Sequence, residues 1–272
     1  MEGDLRYRNR GNPALLDLID IPQGRALDCG CGPGDNARLL KSRGWQVTGV
    51  TIDPLELAAA RTECDHVELA DLTAGLPFAL DGEYGLVLLS HILEHLADPT
   101  PLLLEARRVL APGGRILVAL PNVLHYRQRA QFLRGRFEYT ETGLMDSTHL
   151  RFYTVDSARR LIEDNGLRIV AASATGGLPW WRTRESLPQD LVRRWDRRVL
   201  GRWPNMFAWQ SLFLAAPHPV DTTNDPVGRR VAPPAHTFMA ATTGVRTPAQ
   251  REPLPAPAQD EVAAVLERYR KP

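Results

Sequence analysis

Short apolar runs alternate with amphipathic stretches through most of this 272-residue chain. The amphipathic stretches have the period of a helix and predict helices at residues 36–43, 54–62, 99–110 and 155–165. Strands that alternate with helices favour a parallel sheet with both faces covered, because each connection crosses a face. The fold class we predict is α/β, a doubly wound sheet of seven strands. The apolar runs place these strands at residues 25–29, 46–52, 66–70, 85–90, 114–121, 167–174 and 206–215.

The composition changes near residue 217. Residues 217–257 are rich in Pro, Thr and Ala and lack a periodic apolar pattern, which predicts a disordered linker. Residues 258–272 place apolar side chains on one face and predict a short terminal helix, which either docks or frays. We therefore predict one domain over residues 1–216, followed by this tail.

The charge balance and the cysteines exclude several classes of protein. Lys and Arg number 33 against 32 Asp and Glu, so no strong field would recruit nucleic acid or an anionic membrane. The polar N-terminus does not resemble a signal peptide, and no apolar run is long enough to span a membrane. Three cysteines, two of them in one turn, argue against a disulfide framework and a metal site, and predict a cytoplasmic protein.

A glycine-rich turn follows the first predicted strand. Gly30, Gly32 and Gly34 alternate with other residues before a helix begins, and glycines there let the backbone approach a ligand closely. A dinucleotide-binding turn would have its third glycine at position 35, where Asp35 instead places a carboxylate against the diphosphate. With Asp28 before it, the turn suits a cationic nucleoside that carries an amino acid.

This turn resembles the glycine loop of class I S-adenosylmethionine (SAM) methyltransferases. The resemblance implies a Rossmann-like sheet whose last strand inserts antiparallel between its neighbours, and SAM as the cofactor. It implies that Asp28 holds the amino group of the methionine moiety, while Gly30, Cys31, Gly32 and Gly34 form the turn around it.

The ribose site departs from the family pattern. In that family an acid that binds the ribose hydroxyls directly follows a Gly-Val pair, and Thr51 occupies this position here. Asp53 lies two residues later, beyond Ile52, and either reaches the ribose or caps the next helix ahead of Pro54. After the third strand, the resemblance implies adenine contacts from Asp71 and Leu72; an exposed loop aspartate is the alternative.

The fourth predicted strand ends in Ser90 and His91, where ligands bind in open α/β sheets. The string H-x-x-E-H that begins at His91 also matches a zinc-peptidase pattern, but that pattern needs a continuous helix and a third ligand. We therefore predict no metal. The string S-x-x-L-E-H at residues 90–95 resembles small-molecule methyltransferases, and it lacks the N/D-P-P-Y motif of enzymes that methylate exocyclic base or glutamine nitrogens.

Two further motifs, P-N-V-x-H at residues 121–125 and D-x-T-H-L-R-F-Y-T at residues 146–154, resemble a bacterial branch of these methyltransferases that is often met beside cell-surface glycan functions. Residues 122–154 would then form an acceptor lid. We expect a hydroxyl of a small molecule, sugar or glycan as acceptor, and a SAM- or nucleoside-binding scaffold without activity as the alternative.

Methyl transfer to a hydroxyl requires an aligned nucleophile and a base. Within the lid we expect His149 to be the base, with Asp146 orienting it and Arg151 binding the acceptor. His91 and His125 are the next candidates. The alternative for His149 and Arg151 is a structural hydrogen-bond network that closes the lid.

Tryptophan and arginine are crowded between the sixth and seventh strands. Together they suit stacking on sugars or bases, or binding to acidic chains. The interpretation that we favour is an amphipathic helix with tryptophans anchored in the core and a solvated arginine face. The tryptophans of this segment are Trp180, Trp181, Trp195, Trp203 and Trp209.

Overall fold

The computed structural model describes residues 10–177 and 187–218. The predicted terminal helix and the predicted linker after residue 218, together with Trp180 and Trp181, lie outside the described residues. The first predicted linker residue, Pro217, is instead the last residue of a strand. The domain boundary at residue 216 stays a prediction. No helix in the described part of the chain has the length and apolar character needed to cross a membrane.

Seven strands form one mixed sheet in the order β3-β2-β1-β4-β5-β7-β6. Strands β1 to β5 pair in parallel, whereas β7 lies antiparallel between β5 and β6, which confirms the predicted fold class. The strands are β1 Arg25–Cys29, β2 Gln46–Thr51, β3 His66–Leu69, β4 Tyr84–Ser90, β5 Leu110–Pro121, β6 Leu167–Gly176 and β7 Ala208–Pro217.

Eight α-helices are described, four of them close to the predicted positions. Two 3-10 turns, Leu72–Ala74 and Leu93–His95, follow β3 and β4. The helices are α1 Pro13–Leu16, α2 Asp35–Ser42, α3 Pro54–Glu63, α4 Thr100–Arg108, α5 Tyr126–Leu133, α6 Val155–Asp164, α7 Gln189–Arg202 and α8 Pro204–Phe207.

Two strands begin two or more residues away from their predicted starts, for identifiable reasons. Residue 206 lies in α8 instead of β7, because Pro204 occupies the first turn of a short helix, where its fixed backbone angle suits the helix. Strand β5 begins at Leu110, and its pairing with β4 shifts register between Tyr84 and Leu86. Gly113, at φ 79°, lies in this irregular stretch.

The core lies on both faces of the sheet, as β4 illustrates. Val87 and Leu89 belong to one buried cluster, and Leu86 and Leu88 belong to the other. Successive side chains of a strand point to opposite faces, so a strand that is covered on both sides is apolar at every position. The strand order reverses between β1 and β4, and their carboxyl ends form the edge where this fold binds ligands.

Asn122 ties the segment after β5 to the start of β7. Its side chain is fully buried and donates to the carbonyl oxygens of Ala208 (2.8 Å) and Asn205 (3.1 Å). Its Oδ1 accepts from the Leu124 amide at 3.2 Å. One side chain therefore satisfies three backbone groups where the predicted lid leaves the sheet.

Replacing Asn122 by Ala should lower the free energy of unfolding by about 2–4 kcal/mol, because buried backbone groups lose their partners. Urea denaturation measures this loss. Asn165→Ala is the control: Asn165 is also buried but donates one side-chain bond, to the Leu161 carbonyl, so about 1 kcal/mol should be lost. Equal losses in the two variants would contradict the role given to Asn122.

Candidate functional site

The glycine turn connects β1 to α2 and is held by both backbone conformation and packing. Gly30, Gly32 and Gly34 have φ values of 74°, 53° and 93°, which favour glycine. A Cβ atom on Gly30 would lie 2.8 Å from the Ile92 Cδ1 atom, so a side chain there would have to displace the end of Ile92. The Cys31 amide donates to the Val50 carbonyl at 2.8 Å and holds the turn against β2.

Asp28 is the most unusual group in this turn. Its side chain is 1% exposed, and neither carboxylate oxygen has a hydrogen-bond partner within the described residues. Burial raises the pKa of Asp28 from 3.8 to about 7. A buried carboxylate without donors is unfavourable, so this pair of oxygens fits a cationic donor that arrives with a ligand.

The end of β2 shows how the departure at Thr51 is accommodated. Thr51 is 4% exposed, and its hydroxyl donates to Glu56 Oε2 at 3.1 Å. Asp53 caps α3, since its Oδ1 accepts from the Leu55 amide at 2.8 Å, which agrees with the capping interpretation. Ile52 is 39% exposed at the strand end. Glu56 was missed from the sequence, although its spacing three residues after Asp53 is a recognisable signal.

Asp71 also acts as a cap. Its Oδ1 accepts from the amide (2.8 Å) and the hydroxyl (2.7 Å) of Thr73 at the start of the turn after β3. Leu72 is buried against the core. Because β3 pairs with β2, both residues follow a strand adjacent to Thr51, at the same edge of the sheet.

His91 follows β4 in a strained conformation. Its φ is 56°, and it is the one non-glycine residue in the described ranges with a positive φ, a feature that concentrates at functional sites. Its Nδ1 lies 3.1 Å from Glu94 Oε1, and its Nε2 lies 2.6 Å from Gln210 Oε1. Asn12 Nδ2 donates to the same Gln210 oxygen at 3.1 Å.

These contacts set the protonation of His91. Burial lowers its pKa, but the hydrogen bonds to Glu94 and Gln210 and the Glu94 charge outweigh burial and raise the pKa overall. Both ring nitrogens face oxygen acceptors, an arrangement that favours the imidazolium form. The same two contacts occupy both ring nitrogens of His91, so it is less suited than an unpaired imidazole to accept a proton from a ligand.

Glu94 joins the 3-10 turn after β4 to the lid. Its side chain is fully buried, and its Oε2 has no partner among the described residues. Its carbonyl oxygen accepts from the amides of Leu150 (2.9 Å) and Arg151 (3.0 Å). The D-x-T-H-L-R motif is therefore fastened directly to the end of the central strands.

His149 lies inside this junction, and within residues 10–177 and 187–218 a hydrogen bond is recorded for its Nδ1 but none for its Nε2. Its Nδ1 lies 3.3 Å from the Leu144 carbonyl oxygen, and its ring packs edge-on against His95 at 4.8 Å. Burial lowers the pKa of His149, so its neutral form is favoured at neutral pH. With a proton on Nδ1 directed at the carbonyl, Nε2 keeps its lone pair and can accept a proton.

The structure pairs His149 with the Leu144 carbonyl oxygen and not with Asp146, the partner expected from the sequence. Asp146 Oδ1 accepts from the Thr148 amide (2.8 Å) and hydroxyl (2.6 Å), so Leu144 and not Asp146 orients the His149 ring. The reason is local, because an aspartate two residues before a threonine closes its own turn. Arg151 is exposed and donates from Nε to the Ala97 carbonyl at 2.7 Å.

The other lid histidine does not suit catalysis. His125 is 4% exposed, burial lowers its pKa to about 4, and its Nδ1 has no partner within the described residues. Its ring packs edge-on against Trp209 at 5.1 Å. His125 is thus a neutral packing residue under the lid.

Ligand atoms of Glu94, His95 and His149 lie within 4.8 Å of one another, the one group in the described ranges that could hold a metal ion. The His95 Nδ1 atom faces the Thr148 hydroxyl at 3.1 Å, so its other ring nitrogen is the one left for a ligand. Cys29 and Cys31, the pair weighed from the sequence, are buried free thiols.

Aromatic side chains continue outward from His149. Phe152 lies 6.3 Å from the His149 ring and contacts Phe137 and Tyr139, and Phe137 stacks on Phe132 at 5.5 Å. Phe137 and Tyr139 are more than half exposed. The lid therefore offers an apolar wall to a ligand that approaches the carboxyl edge.

The prediction that the tryptophans of this segment are anchored in the core is wrong for the three that the structure describes. Trp195, Trp203 and Trp209 are 48%, 54% and 41% exposed. In α7 the buried positions belong to Val192, Asp196 and Val199 instead. The helix is amphipathic as predicted, but its tryptophan lies outside the buried stripe.

Comparison with known proteins places this arrangement in a family. A family model described as a methyltransferase domain matches residues 1–172. Trans-aconitate 2-methyltransferase of Rhizobium meliloti is 35% identical over 114 residues, 40% of this chain and 43% of that protein. The ubiquinone biosynthesis O-methyltransferase of Chromobacterium violaceum is 30% identical over 185 residues, 62% of this chain and 76% of that protein. The chain spans less than two thirds of several other curated relatives.

Solved structures share the fold. A SAM-dependent methyltransferase from Archaeoglobus fulgidus superposes with a TM-score of 0.52 at 20% identity, over 71% of this chain and 86% of that chain.

Asp28→Asn should stabilise the unliganded protein at pH 8. Between pH about 4 and about 7 the folded chain holds a proton on Asp28 that the unfolded chain has lost, so stability falls as the pH rises through this window. Asparagine cannot ionise and escapes this loss, which amounts to a few kcal/mol at most.

Thermal melts at pH 4 and pH 8 measure the effect. The variant should match the wild type at pH 4 and melt higher at pH 8, whereas the exposed Asp164→Asn should match it at both. A variant that is less stable at pH 8 would contradict the absence of a partner for Asp28.

Proposed function

This chain belongs to the methyltransferase domain family, and from that premise we propose that it is a SAM-dependent methyltransferase that acts on a hydroxyl group of a small molecule, sugar or glycan. The observation that carries the cofactor site is the buried, unpartnered carboxylate of Asp28 beside the glycine turn. Because SAM carries an ammonium group, it supplies the donor that these two oxygens lack.

The remaining cofactor contacts follow the edge of the sheet. Gly30, Cys31, Gly32 and Gly34 form the floor of the site. The exposed side chain of Ile52 offers an apolar surface to the adenine, and Asp71 and Leu72 flank it from the next strand. Ser90 closes the site at the end of β4.

We assign His149 as the base. When bound, SAM supplies an electrophilic methyl group on a sulfonium sulfur, so the protein must align the acceptor and remove its proton. His149 is neutral, and its Nδ1 is committed to the Leu144 carbonyl, which leaves Nε2 as the proton acceptor. His91, whose pKa is raised, and the Glu94 Oε2 atom, which has no partner among the described residues, lie at the same edge.

The acceptor class rests on the lid. The aromatic side chains Phe137, Tyr139 and Phe152 give a surface on which a sugar or a ring can stack, and Arg151 adds a cation at its border. One relative is named an O-methyltransferase, which supports transfer to oxygen. The alternative, a scaffold that binds SAM without catalysis, is favoured by the missing acid at Thr51, and the experiments below separate the two.

Binding of SAM should strengthen by close to tenfold between pH 5.5 and 6.5 and level off above pH about 7, because the ammonium group binds the ionised form of Asp28 and a protonated Asp28 must first lose its proton. Calorimetry in buffers with different ionisation enthalpies should show close to one proton released per SAM at pH 6. Asp28→Asn should bind at least 100-fold more weakly at pH 7.5. An affinity that does not change with pH would contradict the assignment of Asp28.

His149→Gln should lower kcat by roughly 10²–10⁴-fold and leave SAM affinity within a factor of two or three, because the base acts on the acceptor. Methyl transfer to a panel of glycosides and phenols, followed with methyl-labelled SAM, measures kcat. His66→Gln is the control, since His66 is exposed and contacts Glu68 at 2.8 Å away from this edge.

Chelation separates the base from a metal ligand. If His149 is a base, dialysis of the wild type against EDTA should leave kcat unchanged. Loss of activity on chelation, restored by a divalent cation, would contradict the assignment. Wild-type protein that binds SAM and methylates no member of the panel would favour the scaffold.

A further inference from the structure

The end of β2 lacks its usual acid, yet a carboxylate reaches the same place from α3. Thr51 occupies the position where the resemblance implies the acid that binds the ribose. We propose that Glu56 binds the ribose hydroxyls of SAM in its place, an inference that rests on the proposed function. The carboxylate has moved from the strand end to the first turn of the following helix.

The first observation is the direction of the Glu56 side chain. Glu56 belongs to α3 but is only 8% exposed. A Cβ atom added to Gly32 would lie 3.8 Å from Glu56 Oε1 and 3.9 Å from Glu56 Oε2. Its three nearest neighbours would all be atoms of the Glu56 carboxylate group. The carboxylate therefore faces the glycine turn, on the side where β2 ends.

The second observation is that Glu56 is not used as a helix cap. A glutamate three residues after an N-cap commonly turns back and accepts from the backbone amide of the cap residue. Here the Asp53 amide donates to Thr51 Oγ1 at 3.2 Å, and the Asp53 side chain caps Leu55. Thr51 thus replaces Glu56 in the cap and leaves its carboxylate free to point elsewhere.

The third observation is the bonding state of the carboxylate. Thr51 Oγ1 donates to Oε2, and in the described ranges it is the one hydrogen-bond donor recorded for Glu56. Burial raises the pKa of Glu56 more than this hydrogen bond lowers it. A carboxylate accepts about four hydrogen bonds, so most of its capacity remains for a ligand. A pair of adjacent hydroxyl groups, as on a ribose, supplies two donors at matching spacing.

Thr51 then has a positioning role. Its hydroxyl accepts from the Asp53 amide and donates to Glu56, and this relay holds the carboxylate over the end of the strand. A threonine in place of the strand-end acid and a buried glutamate five residues later form one unit. The exposed residues Ile52 and Leu55 do not enter it.

Calorimetric titration of S-adenosylhomocysteine into the full chain tests the proposal. Glu56→Gln should weaken binding by roughly 10- to 100-fold, the loss expected for hydrogen bonds to a charged group. The double variant Thr51→Asp with Glu56→Gln should regain most of the affinity, because it returns the acid to the strand end. Asp53→Asn is the matched control and should bind as the wild type does, since Asp53 serves the cap.

An analogue of S-adenosylhomocysteine that lacks the ribose 2′-hydroxyl gives a second measurement. Its first part uses only the wild-type protein and does not depend on the folding of a variant. Wild-type protein should bind this analogue at least about tenfold more weakly than S-adenosylhomocysteine, whereas Glu56→Gln should bind both with similar affinity. Equal affinity of the wild type and Glu56→Gln for S-adenosylhomocysteine would overturn the role of Glu56 and leave the proposed function intact. Failure of the wild type to bind either nucleoside would overturn both.

Discussion

The site depends on one unfavourable interaction, the burial of the Asp28 carboxylate without a donor. Parallel strands β2, β1 and β4 enclose this residue at the carboxyl edge of the sheet, and the glycine turn passes beside it. The free protein therefore carries a group whose charge it does not compensate. A cationic ligand would compensate that charge, and under the proposed function the cost in the unliganded fold would be returned as affinity for SAM.

The reactive side of the same edge is built from distant segments. The lid is fastened to the carbonyl oxygen of Glu94, and Gln210, which the antiparallel β7 brings next to β5, holds the strained ring of His91. Two histidines consequently have pKa values that are shifted in opposite directions. The Glu94 carboxylate helps to raise the pKa of His91, whereas burial lowers the pKa of His149. In the proposed mechanism, His149, whose pKa is lowered, is therefore the better proton acceptor of the two.

The fold and the glycine turn could be predicted because they depend on local signals. The apolar runs have the length of strands, and the positive φ angles at Gly30 and Gly34 favour glycine, which is visible in the sequence. Asp146 and Glu56 could not be assigned in this way. Their directions depend on a competition between neighbouring hydrogen bonds: Thr148 captures Asp146, and Thr51 displaces Glu56 from the cap of α3. Gln210 was missed because its place at His91 exists only once β7 inserts beside β5.

The most direct test of this account is the titration of the Asp28 carboxyl carbon by NMR in protein labelled with carbon-13 at aspartate side chains. The Asp28→Asn spectrum assigns the resonance. In the free protein the carboxyl should titrate with a pKa of about 7, and saturating SAM should lower that pKa by more than about two units. A pKa near 4 in the free protein, or a pKa near 7 that SAM leaves unchanged, would contradict the claim that Asp28 has no partner in the free protein and binds the ammonium group of SAM.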